Sequence, residues 1–284
     1  MAGAVIPRPG RTVDSVSTVH PIEQLRYVAR ASGADAGLLV QEAASALGVF
    51  RHDRPGLVTA ARRLLTRQPT VGPLWWMCSR LTMASDPWGE ARAVIDELRS
   101  DRTDRELAHN LPDGSVVVFA GWPDTIVAAL PRRGDVTALV IDVEGQGSAV
   151  VRRLDRADVQ AEEIDPAHIA GAVEAADVVL IEAAAAGPAA ALTDVGGLPL
   201  AATARALSTP VWLVAAVGRR LPEPYWQAIV ERAVLGQETP WLSPYDVVAM
   251  GLVDRLVTAA GVVPPSEAEP VDPAYASELL KALG

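Results

Sequence analysis

The stretch DVVLIEAAAAGPAAALTDVGG, residues 177–197, decides the fold of this chain. It opens with DVVLI, which has the aliphatic, β-branched character of a buried strand, and it leads into a helix-like segment. In an α/β protein, the position just beyond the carboxyl end of a strand is where ligands usually bind. Here that position is nearly all alanine, which raises the question of whether a binding site has been lost.

Four further strand-like runs lie between residues 115 and 217: SVVVFA (115–120), VTALVID (136–142), VQAEEI (159–164) and PVWLVAAV (210–217). Helix-like segments separate most of them. Apolar strands that alternate with helices are typical of a parallel sheet that is buried on both faces. We therefore predict an α/β fold with a doubly wound, mostly parallel, Rossmann-like sheet over residues 113–265.

The region before this sheet has helical periodicity. From Pro21 to about Asn110, apolar residues recur at helical spacing, in segments such as IEQLRYVARA and AGLLVQEAASALGVF. We predict a helical N-terminal domain over residues 21–112, preceded by a flexible tail at 1–20. Residues 266–284 are rich in Pro and acidic residues, and we interpret them as a C-terminal tail that ends in one or two short amphipathic turns.

Composition excludes several classes of protein. No apolar run approaches the roughly 18–20 uncharged residues of a membrane span, and the N-terminus lacks the pattern of a signal peptide. We expect a cytoplasmic protein with no membrane partner. The formal net charge of −10 disfavours nucleic acid as a partner.

Cofactor and metal motifs do not occur in the sequence. The four histidines have no metal-ligand spacing, and the single cysteine, Cys78, is interpreted as a small core residue rather than a nucleophile. There is no GxGxxG after the first strand, no Walker loop and no GxSxG. The sequence therefore predicts no metal site and no cofactor.

Acidic residues near strand ends are the first candidates for chemistry. Asp142 and Glu144 follow a strand in IDVEGQG, where they either bind a ligand hydroxyl or face solvent in a turn. Asp194 precedes two glycines, a pattern typical of a turn and compatible with a ligand role. Arg67 and Thr70, in RQPTVGP, precede a helix and either meet an anion at its N-terminus or belong to a capped helix start.

Longer motifs show a family resemblance. RQPTVGPLWWMCSRL resembles the "RPT…LW" helix of the translation initiation factor 2B alpha/beta/delta family, which includes methylthioribose-1-phosphate isomerase and ribose-1,5-bisphosphate isomerase. VVVFAGWPDTIVAAL, VIDVEGQG and SPYDVVAMGLVDRLVTAAGVVPP are similar to later motifs of the family in the same order. The most specific match is the stretch from ADVVLIEAAAAG to VWLVAA, which brings Gly197 into register. The resemblance covers about residues 20 to 265.

The resemblance also implies where catalytic groups are missing. The cysteine of the family isomerases aligns with Gly121, and their aspartate aligns with Ala184. Neither residue moves a proton, so the loss of both predicts near-complete loss of isomerase rate. The sugar-binding Asn-Lys pair aligns with Asp194 and Val195, and the family arginine aligns with Gln146. By this alignment, the alanine run is an erased site.

The leading hypothesis is a non-catalytic regulatory or scaffold protein. We expect it to retain a weak pocket for a phosphorylated sugar or a nucleotide, and to assemble as a homodimer or with a related subunit. The residues expected to bind the ligand are Arg67, Thr70, Gly121, Asp142, Glu144, Asp194 and Gly197.

Two alternatives stay open. An alignment slip of two positions places Glu182 where the family has its aspartate, and Glu182 with Asp194 then makes a rearranged carboxylate site for a sugar-phosphate isomerase. A weaker alternative is a translation initiation subunit that acts in nucleotide exchange, which rests on fold analogy alone.

Overall fold

The structure is a computed structural model that describes residues 36–235 and 238–281. The N-terminal tail at 1–20 and the predicted segment IEQLRYVARA lie outside the described residues. The described chain begins with a helical region, as predicted. Its helices are α1 Ala36–Gly48, α2 Arg54–Arg67, α3 Gly72–Met83, α4 Pro87–Arg99 and α5 Thr103–Asn110. Asp53 and Asp86 start α2 and α4, since each carboxylate accepts a backbone N–H of the first turn.

A mostly parallel sheet follows, which confirms the predicted fold class. Its parallel strands are β1 Val116–Ala120, β2 Thr137–Ile141, β3 Gln160–Ile164, β4 Val178–Ala186, β6 Val211–Val214 and β8 Arg255–Thr258. Helices α6 Asp124–Ala129, α7 Gly147–Asp155, α8 Ile169–Ala175, α9 Gly197–Leu207 and α10 Glu223–Val230 alternate with the strands. The order in space is β3-β2-β1-β4-β6-β8, with β9 Gly261–Val263 antiparallel at the β8 edge.

Two apolar layers cover the faces of the parallel sheet. Leu180 and Phe119 point into one layer, which contains Leu107 of α5, Ile126 of α6 and Leu154 of α7. The opposite layer contains residues of α8 and α9 packed against Val179, Ile181 and other strand residues. Burial on both faces explains the apolar sequences of β1, β2, β4 and β6. The edge strand β3 differs, because it is largely exposed and carries Glu162 and Glu163.

The second half of β4 leaves the parallel sheet and starts a small antiparallel one. Here β4 pairs with β5 Ala190–Asp194, which in turn pairs with β7 Tyr245–Ala249. The register shifts between Ala183 and Ala185, so the strand has a bulge there. Helix α3 packs against this half so closely that a Cβ on Gly72 would lie 2.7 Å from the carbonyl oxygen of Ala184. The small alanine side chains make this approach of helix and strand possible.

The C-terminal tail packs back onto the helical region, which the sequence did not predict. The backbone N–H of Ala276 donates to the hydroxyl of Tyr225 at 2.9 Å and to the hydroxyl of Ser79 at 3.1 Å. Leu279 is buried in the same apolar cluster as α3. Burial raises the pKa of Tyr225 to about 12, so its hydroxyl stays protonated and can donate to Ser79. Ala276 and Leu279 therefore belong to the core and anchor this segment to the helical region.

The described part of the chain also bears on the cysteine, on metal sites and on membrane spans. Cys78 is fully buried in α3, as predicted, and burial raises the pKa of its thiol far above the usual range. Within residues 36–235 and 238–281, no cluster of His, Cys, Asp or Glu side chains is arranged to hold a metal ion. None of the helices in these ranges has the length and apolar character needed to cross a bilayer.

Candidate functional site

The candidate site lies at the carboxyl ends of β1 and β4. Strand order reverses at this point, because β2 and β3 lie on one side of β1 and β4 lies on the other. Ligands of doubly wound sheets bind at such a switch point. A cavity of about 330 Å³ opens there, with Thr70, Trp122, Glu182, Ala184, Asp194 and Arg219 in its wall.

The Glu182 side chain forms an ion pair and several hydrogen bonds in this cavity. Its carboxylate forms an ion pair with Arg219 at 2.7 Å, and it also accepts the backbone N–H groups of Thr125 at 2.8 Å and Ile126 at 3.2 Å. The Thr125 hydroxyl donates to it at 3.0 Å. Both partners of the ion pair are largely buried, with side chains 8% exposed for Glu182 and 12% for Arg219. The carboxylate thus occupies the N-terminus of α6.

Two more helices at this edge are capped by carboxylates of the chain itself. Asp142 accepts the N–H of Gly147, the first residue of α7, at 2.9 Å. Asp246 accepts the N–H groups of Gly196 and Leu198, at the start of α9, at 2.8 and 3.1 Å. Helix N-termini are the usual phosphate-binding positions of doubly wound folds. Here protein carboxylates accept two backbone N–H groups at α6, one at α7 and two at α9.

The N-terminus of α3 is closed in a different way. Its N-cap residue, Val71, offers no side-chain cap, and Gly72 packs directly against the backbone of β4. The Thr70 hydroxyl donates to the hydroxyl of Tyr245 at 3.1 Å. Pro73 lies in the first turn of α3, but no side chain caps this helix, so the capped start considered from the sequence is not found.

Asp194 contrasts with Glu182. Among the described residues, no side-chain hydrogen bond or ion pair joins its carboxylate, which is open to water at the cavity wall. The pKa of Asp194 is nevertheless raised to about 6. Desolvation by the surrounding cavity is the largest cause, and the negative charges of Glu144, Glu182 and Asp124 add to it against the opposing charge of Arg219. Asp194 is therefore a carboxylate that titrates near neutrality beside the cavity.

The cavity is acidic as a whole. Its wall holds Asp124, Glu182 and Asp194, and the one described cation in that wall, Arg219, is already paired with Glu182. An adjoining cavity of about 260 Å³ shares Asp124 and Arg219 and adds Asp101 and Asp104. A multiply charged anion that enters this region is therefore repelled by the carboxylates, and the guanidinium of Arg219 is already paired with Glu182.

Comparison with solved structures identifies the fold. The translation initiation factor eIF-2B of Pyrococcus horikoshii superposes with a TM-score of 0.71 at 13% identity, over 86% of this chain and 97% of that chain. The fold is that of the initiation factor 2B subunits. The tetrameric eIF2B-beta2-delta2 complex from Chaetomium thermophilum gives a TM-score of 0.70 at 17% identity, over 87% of this chain and 91% of that chain.

A more distant initiation factor 2B structure, subunit delta from A. fulgidus, gives a TM-score of 0.58 at 16% identity, over 87% of this chain and 88% of that chain. No protein-family model matches the sequence, and no curated protein matches it either. The resemblance predicted from sequence motifs is thus confirmed for the initiation factor 2B fold, at an identity where function is not transferred.

The initiation factor 2B fold brings only some of the predicted site residues together. Thr70, Glu182 and Asp194 line the 330 Å³ cavity, and Ala184 lies between them in its wall. Arg67, the last residue of α2, is exposed and is not part of that wall. These residues remain predictions as ligand contacts.

The other predicted residues surround the switch point without forming a cluster. Asp142 caps α7, whereas the exposed Glu144 is close enough to Asp194 for its charge to raise the Asp194 pKa. Gly121 has a left-handed backbone with φ of +64°, which favours glycine there. Gly197 is buried at the start of α9, where a Cβ would collide with the side chain of Thr193.

Sequence reasoning missed the residues that bond to the predicted carboxylates. Arg219 follows β6 and reaches Glu182, which lies on the neighbouring strand β4. Thr125 in PDT opens α6, and Asp246 lies on β7. The position of Arg219 just beyond the carboxyl end of PVWLVAAV was a usable signal, because all parallel strands of a sheet end at the same edge.

Proposed function

We propose that this chain is a non-catalytic regulatory or scaffold protein with the initiation factor 2B fold. The observation that carries the proposal is the capping of α6, α7 and α9 by Glu182, Asp142 and Asp246, at the edge where related folds bind phosphate. These carboxylates bond five backbone donors of this edge without a ligand, which stabilises the helix starts.

The absence of an acid and base pair supports the same proposal. The positions that the resemblance assigns to the isomerase cysteine and aspartate are Gly121 and Ala184. Ala184 lines the cavity, so the wall has a methyl group where proton transfer would require a carboxylate.

A phosphorylated sugar or a nucleotide remains the ligand class that the resemblance implies for the cavity. The charge of the wall argues that any such binding is weak, because a phosphate dianion would face Asp124 and Asp194 without a free cation in the described wall. A thermal-shift titration against ribose phosphates and nucleotides measures this directly, since a ligand that prefers the native state raises the melting temperature. We expect no shift at millimolar concentration.

Assembly with itself or with a related subunit is the activity that we propose instead. One of the similar structures is a complex of beta and delta subunits. In this chain, Trp241 and Leu242 are adjacent and 79% and 70% exposed, a patch of the kind found at interfaces. Light scattering after size-exclusion chromatography is the measurement, and Trp241→Ala should shift any oligomer towards the monomer.

The decisive experiment is an assay of the purified protein with ribose 1,5-bisphosphate and methylthioribose 1-phosphate. We expect only the background rate. Glu182→Gln and Asp194→Asn serve as controls, because a trace contaminant would give the same rate with all variants. Enzyme-like turnover that disappears in either variant would refute the proposal.

A second candidate function, an isomerase-like enzyme with a rearranged carboxylate site, is favoured by Asp194. A carboxylate whose pKa is about 6 beside a cavity has the protonation behaviour of a general acid or base near neutrality. Under this alternative, turnover of a less anionic sugar would follow a pH profile with an inflection near 6 that Asp194→Asn removes.

A further inference from the structure

We propose that Glu182 is the built-in ligand of an anion site, and that removal of its carboxylate opens the site to a small carboxylate or inorganic phosphate from solution. This inference deepens the proposed function, because it identifies what closes the site. Its test measures binding to a variant, so the test does not depend on whether the wild-type protein is catalytic.

The donors around Glu182 form a complete set for a small oxyanion. Arg219 supplies a positive charge at 2.7 Å, and the Thr125 hydroxyl supplies a neutral donor at 3.0 Å. The N–H groups of Thr125 and Ile126 complete the set at 2.8 and 3.2 Å. Guanidinium and hydroxyl donors make this more than the end of a short helix.

The key donor is held independently of Glu182. Arg219 also donates through Nη1 to the carbonyl oxygen of Ala183 at 2.6 Å. Removing the Glu182 carboxylate therefore leaves the guanidinium anchored to β4, with its Nη2 facing the vacated position. A buried guanidinium without a counter-ion is costly, and an anion from solution relieves that cost.

The vacated position is also accessible. Glu182 and Arg219 both line the 330 Å³ cavity, which is large enough to admit acetate or phosphate. Asp194 is an internal competitor, because it lines the same cavity and the charge of Arg219 acts on its pKa. The Asp194→Asn background removes that competitor.

The experiment is thermal unfolding of Glu182→Ala at constant ionic strength, with chloride replaced stepwise by acetate in one series and by phosphate in another. We expect a saturable rise of several degrees in the variant and none in the wild-type protein. The two series distinguish a site that takes only a carboxylate from one that also takes phosphate. The rise should be equal or larger in Glu182→Ala/Asp194→Asn.

Matched controls separate this site from general anion effects. Asp246→Ala also uncovers two helix N–H groups but has no guanidinium among its described partners, so it should show no saturable rise. Glu182→Ala/Arg219→Met removes the charge and should lose the response. Glu182→Gln removes the charge but keeps the position filled, so it should show no saturable rise.

The proposal is overturned if Glu182→Ala responds to acetate and phosphate no more than Asp246→Ala does, in both the Asp194 and the Asp194→Asn backgrounds. If Glu182→Ala is unfolded in chloride, the folded fraction measured by circular dichroism after refolding in acetate or phosphate replaces the melting temperature. Recovery supports the site, and equal failure in all three salts overturns it.

Discussion

The two halves of β4 use the same strand conformation for opposite purposes. Val178–Ile181 carries large aliphatic side chains that fill the layers on both faces of the parallel sheet. Ala183–Ala186 carries only methyl groups, and this lets Gly72 of α3 approach the backbone of Ala184. The large side chains of the first half stabilise the fold by filling the apolar layers. The small side chains of the second half stabilise it by leaving room for α3 to pack against the strand. Glu182 lies at the junction.

The largest effect is expected at the junction. Arg219→Ala leaves the buried Glu182 carboxylate without its cation, and removing one partner of a buried ion pair costs about 3–5 kcal/mol. Urea unfolding measures the loss. The exposed Arg205 is the control, since Arg205→Ala should change the free energy of unfolding by less than about 0.5 kcal/mol. Equal effects would show that the ion pair is not structural.

The first half of β4 should be sensitive to lost volume. Leu180 is 1% exposed in the layer between the sheet and α5, α6 and α7, so Leu180→Ala should cost about 3 kcal/mol through lost burial and a cavity. The same substitution at the exposed Leu207 should cost much less. A loss below about 1 kcal/mol for Leu180→Ala would contradict tight packing there.

The second half should be sensitive to added volume. Ala185 is fully buried next to Gly72, so Ala185→Leu should push α3 away from β4 and cost about 2 kcal/mol through overpacking. Ala189→Leu, in the exposed turn between β4 and β5, is the matched control. Denaturant unfolding measures the effect, and the midpoint should fall for Ala185→Leu but not for Ala189→Leu. If Ala185→Leu stabilised the protein, the two halves would not differ as described.

The smallest effect concerns Asp194, which ends the strand paired with the second half of β4. Its folded pKa of about 6 lies above the ordinary 3.8, so the folded state binds the proton more tightly than the unfolded chain. The carboxylate therefore costs stability above pH 6, and the cost disappears as the pH falls from 6 to below 3.8. Asp194→Asn should raise the free energy of unfolding at pH 7.5 by only on the order of 0.5 kcal/mol, because solvent screens this exposed group.

The control for Asp194 is the pH dependence itself. The difference in unfolding free energy between Asp194→Asn and the wild-type protein should vanish at pH 3.5. A difference that is the same at pH 3.5 and pH 7.5 would mean that the substitution acts through packing and not through charge.

Sequence patterns predicted the parallel strands well and the antiparallel ones poorly. The runs that became β1, β2, β4 and β6 are apolar or β-branched stretches, and their bounds shift by only a few residues. The polar edge strand β3 was also predicted, whereas the parallel strand β8 was not. The strand β5, AALTD, was missed because alanine has little preference for strands, and only pairing with β4 and β7 makes it one.

The candidate site was also predicted only in part. Glu182 and Asp194 stand out in the sequence as acidic residues near strand ends, and both do line the cavity. Their different behaviour was not predictable, because it depends on Arg219 and Thr125, which lie far from them in sequence. The packing of Ala276 against Tyr225 is a similar case.

By itself, the sequence determined the α/β class and the helical N-terminal region, and the family resemblance predicted that Gly121 and Ala184 stand where the isomerases have their cysteine and aspartate. Periodicity and residue type are local properties, so they can be read along the chain. Tertiary structure alone decided that Glu182 is bonded on all sides and that Asp194 is left to titrate near neutrality. The physical reason is that hydrogen-bond partners and desolvation come from other strands and helices, which meet these carboxylates only in the folded chain.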